Sequence, residues 1–228
     1  MASCASLHNQ KPVHQAAREM FYYLCRFRRY PQYDKVEPEE PDRITDQDRR
    51  LANKLAARMG KRVWEPLIGQ SISAIEANWN LLGMTDRQWL YCAQVTSEVL
   101  SPLFVGRVGV ARLTKALHRK RPNFIPICDS VLVAALQVKS SDKATTVVQC
   151  MEGLRKVGQA SSPVLTSLRN LSMDKGMEMT ELRILELLYW VIFGPFGMPQ
   201  QRDSFRSKCQ ALRASGECLA DTQKSPCV

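Results

Sequence analysis

"ALHRKRPNFIPICDSVLVAAL", Ala116 to Leu136, decides how this chain is read. Four basic or potentially basic side chains, His118, Arg119, Lys120 and Arg121, precede two prolines that bracket a short apolar step. A single carboxylate, Asp129, and an apolar run follow. Proline restricts the residue before it to extended backbone, so "PNFIP" reads as a stiff, extended bridge. The run from Ser130 reads as a helix with Asp129 at its start.

Outward from this stretch the pattern stays helical. "MTDRQWLYCAQVTSEVLSPL" and "MTELRILELLYWVIF" each begin with a threonine N-cap, Thr85 and Thr180, and carry apolar residues at helical spacing. Met179 to Phe193 is the most apolar segment and is expected to be a largely buried helix. "ITDQDRRLANKLAARMG" opens on Thr45, has Asp48 at the third helical position, and is expected to run to Gly60. "VHQAAREMFYYLCRFRRY", "ATTVVQCMEGLRKVG" and "SPVLTSLRNLSMD" are further helices, and "VWEPLIG" and "SAIEAN" are short helical turns. "PQYDKVEPEEPD" is a connector. No alternating strand pattern and no repeat appears. The expected fold is all-α, a single helical domain over 14–198 with a helix-hairpin-helix-like core near 85–140. Residues 1–13 form an N-terminal segment and 199–228 a polar, flexible tail.

Charge narrows the function. The 228 residues carry a net charge of +10, which favours polyanionic partners, nucleic acid before an anionic membrane. No stretch is long and apolar enough to span a bilayer, and "MASCASLHNQ" has no apolar signal core. The location expected is cytoplasmic. The eight cysteines form no C-x-x-C pair, and the histidines have no metal-ligand spacing, so reduced thiols, no metal and no cofactor are expected.

Chemistry concentrates in "VGRVGVARLTKALHRKRPNFIPICDS". A glycine-containing turn leads into a helix beginning near Ala111. Backbone N–H groups at such a helix start suit a phosphate oxygen. Gly109, Arg112, Lys115, His118, Arg119, Lys120 and Arg121 are therefore the nucleic-acid-binding candidates, with Arg107 adding charge nearby.

This order resembles the core of the helix-hairpin-helix DNA glycosylase superfamily. Val108-Gly109-Val110-Ala111 stands where that family has its hairpin, with Ala111 in place of the second glycine. Thr114 lies on the following helix, and "IPICDS" occupies the aspartate segment. Lyase-competent members carry a lysine just before the matching threonine. Leu113 stands there and Lys115 lies two positions on, so the resemblance implies monofunctional hydrolysis of an N-glycosidic bond in DNA, with Asp129 as the catalytic carboxylate. The chain also looks like an uncharacterised bacterial family in "ITDQDRRLANKLAARMG", "TKALHRKRPNFIPICDS" and "MTELRILELLYW", over about residues 14–195. That resemblance implies no activity.

Each candidate also has a plain structural role. Asp129 is equally the N-cap of the helix it precedes. The cations are equally a solvated helix end, or an ion-pair lock between Lys120 or Arg121 and Asp129. Trp64, Trp79, Trp89 and Trp190 are expected in the core, though any of them is able to line a pocket for a flipped base. Two functions follow. One is a DNA glycosylase-like hydrolase acting through Asp129, on DNA rather than RNA. The other is a non-enzymatic helical module that binds nucleic acid or a protein through its basic face. The sequence does not fix the oligomeric state.

Overall fold

The computed structural model describes residues 17, 20, 21, 24 and 29–194. Among them are nine α-helices: α1 (Arg29–Asp34), α2 (Asp46–Lys54), α3 (Lys61–Trp64), α4 (Asp86–Leu100), α5 (Val110–Leu117), α6 (Ser130–Ala135), α7 (Lys143–Ala160), α8 (Ser162–Asp174) and α9 (Glu181–Phe193). Short 3-10 turns occupy Glu65–Leu67, Leu81–Gly83 and Ser101–Leu103. The described β pairing is one isolated bridge, Arg43 to Ser71. The fold is all-α. Most of the helix expected over 13–30, the tail at 199–228, and Cys4, Cys25, Cys209, Cys218 and Cys227 lie outside the described residues.

The core is built around α9. Its residues Leu182, Ile184, Leu185, Leu187, Leu188 and Val191 are all buried, because α6, α7 and α8 pack against it. Thr180 caps it as expected, accepting from the Arg183 N–H at 3.1 Å. The same hydroxyl donates to the Pro122 carbonyl at 3.0 Å, which ties α9 to the turn after α5. Thr85 caps α4 and forms a reciprocal box with Gln88. At α2 the carboxylate of Asp48 accepts from the Thr45 N–H at 2.7 Å, in the role that Glu or Gln usually fills.

Three local expectations need correction. α2 ends at Lys54 rather than Gly60, because Ala56 (φ 59°) and Arg58 (φ 52°) are left-handed and stop the helix. "SAIEAN" forms turns. Six residues make too few helical bonds to offset nucleation, and Ile75 is held in the core instead. The bridge is not extended from its first proline. The Arg121 carbonyl accepts from the Phe124 and Ile125 N–H groups at 2.9 and 2.8 Å, which makes 121–124 a turn. The segment beyond it, leading to Asp129, has no regular secondary structure, and Asp129 itself has extended backbone.

Among the described residues no helix is long and apolar enough to cross a membrane. Cys92, Cys128 and Cys150 are free and buried.

Candidate functional site

The cations of the opening stretch turn inward. Arg121 is 1% exposed. Its guanidinium donates to the carbonyls of Ile75, Pro41 (2.9 Å) and Lys120 (2.8 Å) and pairs with Asp42 at 2.6 Å. Lys120, equally buried, donates to the Glu40 carbonyl at 2.5 Å and pairs with Asp48 at 3.1 Å. Burial pushes the Asp48 pKa up, against the opposing pull of the Thr45 N–H and the Lys120 ammonium. Arg119 donates to the Val36 carbonyl at 3.1 Å. These three side chains therefore fasten the proline-rich connector, residues 36–42, onto the helical core. Neither Lys120 nor Arg121 pairs with Asp129, so the expected ion-pair lock forms with Asp48 and Asp42 instead.

His118 is buried against Tyr33, with ring centroids 6.2 Å apart. Its Nδ1 lies 2.7 Å from the Ile125 carbonyl oxygen. A carbonyl only accepts, so Nδ1 carries the proton. Burial and the nearby Arg183 charge lower the His118 pKa to about 3. The imidazole is neutral at physiological pH, and its distance from solvent does not suit a phosphate contact.

Lys115 and Arg112 are half-buried and point across α5 toward the loop after α2. Lys115 Nζ donates to the Leu55 carbonyl at 2.8 Å. Arg112 Nε donates to the Ala57 carbonyl at 3.1 Å, and its Nη1 to the Arg107 carbonyl at 2.9 Å. Gly109 is the N-cap of α5, with φ −102°, a conformation open to any residue.

Asp129 sits where both of its readings require. Its Oδ1 accepts from the N–H groups of Val131 and Leu132, each at 3.0 Å, and so caps α6. Its Oδ2 accepts from Trp190 Nε1 at 2.7 Å. A carboxylate has about four acceptor positions, and these three bonds leave one. Thr114 sets the approach, since its hydroxyl accepts from the Cys128 N–H at 3.0 Å and fixes the residue before Asp129 to α5.

That carboxylate lines a cleft of about 420 Å³. Leu55 and Ala56 form one side, Ala111 and Lys115 of α5 another, and Leu187 and Trp190 of α9 a third. The volume falls in the range of small-molecule sites, roughly 300–1,000 Å³. Glu186 and Arg183 stand at its inner wall. Glu186 accepts from the Ile127 N–H at 2.7 Å and from Arg183 Nη1 at 3.0 Å, while Arg183 also pairs with Asp34 at 3.2 Å. Burial raises the Glu186 pKa to about 7, although Arg183 and the Ile127 N–H pull it down. Burial lowers the Lys115 pKa, and the Asp129 charge partly restores it. One apolar-walled space therefore meets a fixed carboxylate, a carboxyl that titrates near neutrality and a half-buried amine. That set is able to hold a planar ligand and to stabilise positive charge developing on it.

Sequence reading identified Asp129 but missed its partners. Trp190, expected in the core with a pocket wall as its alternative, packs against the core and also lines the cleft. Trp64 and Trp89 are indeed buried, and Trp79 packs edge-on against Phe124. Arg183 and Glu186 carried a readable signal, two opposite charges three residues apart inside the most apolar helix. The rim at Leu55 and Ala56 carried none.

A family model described as a family of unknown function, DUF6308, matches residues 14–192. The chain belongs to that family. No curated protein matches it, and neither does any solved structure. The DUF6308 match covers α1 to α9 almost to their end, so the cleft and every residue described around it belong to the family region.

Proposed function

We propose that this DUF6308 chain binds DNA and hydrolyses the N-glycosidic bond of a damaged or modified base, with Asp129 as the catalytic carboxylate. One observation carries the reading. The Asp129 carboxylate is aimed by three N–H donors and keeps an acceptor position at the wall of a base-sized cleft. In this reaction the bond from C1′ of the sugar to the base nitrogen breaks, and the electron pair leaves with the base. Positive charge builds on the sugar, a water oxygen closes on C1′, and the proton that this water loses passes by way of the Asp129 carboxylate to the departing base nitrogen. A fixed anion beside that carbon lowers the barrier, and its free acceptor position orients the water. Trp190, Leu187 and Ile127 supply apolar surface for a base taken out of its stack. The resemblance of "VGVARLTKAL" and "IPICDS" to the glycosylase core supports the same assignment.

The test is base release. Duplex DNA carrying individual damaged or modified bases is incubated with the protein, and free base is measured by mass spectrometry. Release from at least one substrate, lost in Asp129→Asn, is the expected result. No release from any substrate, with DNA binding intact, replaces this reading with the second.

The second reading is a non-enzymatic helical module that binds nucleic acid or a protein partner. Two observations favour it: Asp129 Oδ1 is fully engaged as a cap, and His118, Lys120 and Arg121 serve the fold. It predicts binding without turnover.

A further inference from the structure

With Lys120 and Arg121 buried, the positive field of the molecule must arise elsewhere. Two stretches of sequence contain no aspartate or glutamate, residues 49–64 and 99–128. The fold brings them together. Arg112 bonds the carbonyls of Ala57 and Arg107 with one guanidinium, so the loop after α2 and the turn before α5 meet at that side chain. Lys115 anchors the same loop through the Leu55 carbonyl. Leu55, Ala56 and Ala111, from these same two segments, line the Asp129 cleft. Lys54, Arg58 and Arg107 stand on the segments as exposed cations.

The loop is built rather than slack. Ala56 and Arg58 are both left-handed, which L-residues adopt at a cost, and Gly106 (φ 52°) makes the matching turn beside Arg107. Asn53 holds the loop from below, accepting from the Met59 N–H at 2.7 Å and donating to the Met59 carbonyl at 2.9 Å. Four side-chain bonds thus hold an unfavourable backbone in which Ala56 lines the cleft and Arg58, two residues on, is exposed.

We infer that Lys54, Arg58 and Arg107 form an anion subsite at the mouth of the Asp129 cleft. It takes the phosphate of a nucleotide whose base enters the cleft. The inference rests on the proposed reading of the cleft as a base site. Its physical logic is electrostatic: inside the cleft Arg183 is taken up by Glu186 and Asp34 and Lys115 by the Leu55 carbonyl, so a phosphate meets exposed cations at the rim and the base faces inward. The phosphate is that of a polynucleotide backbone or of a free nucleotide, since the rim chemistry is the same for both.

The experiment measures binding of a labelled DNA duplex across a salt series for wild type, the double variant Arg58→Gln with Arg107→Gln, and Arg169→Gln on α8. Both rim side chains are exposed, so the fold should persist, and circular dichroism checks it. The double variant should bind at least about tenfold more weakly, with the slope of log K against log salt reduced by about two. Lysine at both positions should restore most of the binding, and Arg169→Gln should bind like wild type. Competition distinguishes the sources. A nucleoside 5′-monophosphate that displaces the duplex, where the nucleoside does not, points to a free nucleotide; a duplex that resists it points to the backbone. Unchanged binding in the double variant, or an equal loss in Arg169→Gln, overturns the subsite. Base release abolished by Asp129→Asn while the rim variants bind normally removes the subsite alone. Weakened rim variants of a protein that releases no base keep the subsite and remove the glycosylase reading.

Discussion

Arg121 and Arg58 both come from stretches free of acids, yet the fold gives them opposite surroundings. Arg121 is sealed in the core by three backbone carbonyls and Asp42, while Arg58 stands exposed on a left-handed loop. The lesson concerns partners. A cation cluster without nearby carboxylates looks unsatisfied in sequence, but the carbonyl oxygens of an irregular connector satisfy it just as well. Residues 36–42 have little regular structure, so their carbonyls need donors. The cluster from Arg119 to Arg121 supplies them.

The largest expected effect breaks this comparison at Arg121. Removing the guanidinium leaves Asp42 to solvent but takes the donor from the Ile75, Pro41 and Lys120 carbonyls, at about 1–3 kcal/mol for each acceptor left buried and unsatisfied. Arg121→Met should therefore lower the denaturation midpoint severely, whereas Arg58→Met should leave it nearly unchanged. Equal and small effects in urea titrations would mean that Arg121 is not the clamp described here. For the same reason, reversing the charges of Arg119, Lys120 and Arg121 together tests folding and says little about phosphate.

Next in size is Asp129→Asn. The new side chain has a single oxygen: if it caps α6, its NH2 group faces the Trp190 N–H, a donor against a donor. Stability should fall by only about 0.5–2 kcal/mol, the usual range for a cap. Base release, if the glycosylase reading holds, should fall about a hundredfold or more. A large loss of stability with no turnover in wild type would assign Asp129 to capping alone.

The buried polar groups behind the cleft give a pH signature. The His118 pKa is lowered to about 3, so its contribution is present above its ordinary value of 6.5 and is lost as pH falls toward 3. Glu186 is raised to about 7, so its contribution is present below its ordinary value of 4.5 and is lost as pH rises through 7. Between those ordinary values the two slopes oppose each other. His118→Gln removes one of them and keeps an amide able to donate to the Ile125 carbonyl. The variant should be less stable than wild type at neutral pH, with the gap narrowing on acidification. Urea midpoints over a pH series measure this, and a constant gap would show that His118 does not titrate on unfolding in acid.

The all-α fold was legible because periodicity and caps agree: Thr85, Thr180 and the Thr45–Asp48 pair all sit where the pattern puts them. Asp129 was legible as a position, since a lone acid before an apolar helix is both a cap and a candidate anion. The direction of the cations was not. It depends on contacts such as Arg121 with Asp42 and Lys120 with the Glu40 carbonyl, made between residues about 80 positions apart. No local pattern encodes such pairings. The rim escaped for a related reason, because Ala56 and Arg58 have no composition signal for left-handed backbone, which usually announces itself with glycine or asparagine.

The smallest prediction sharpens the comparison from the exposed side. Left-handed backbone at a residue with a Cβ is unfavourable by roughly 1–2 kcal/mol, and glycine is free of that penalty. Against this gain, glycine loses more backbone entropy on folding, by about 0.5–1 kcal/mol. Ala56→Gly should then be neutral to slightly stabilising, with Tm rising by at most a few degrees. The substitution removes only a methyl at the cleft edge and touches neither Lys115 nor Arg112. If the loop is held in place for the cleft, the Lys115 and Arg112 bonds should keep it there, and DNA affinity should stay within about twofold of wild type. A fall in stability would show that Ala56 contributes packing rather than strain. A fall in affinity without one would show that the stiffness of the loop, and not only its charge, sets the rim.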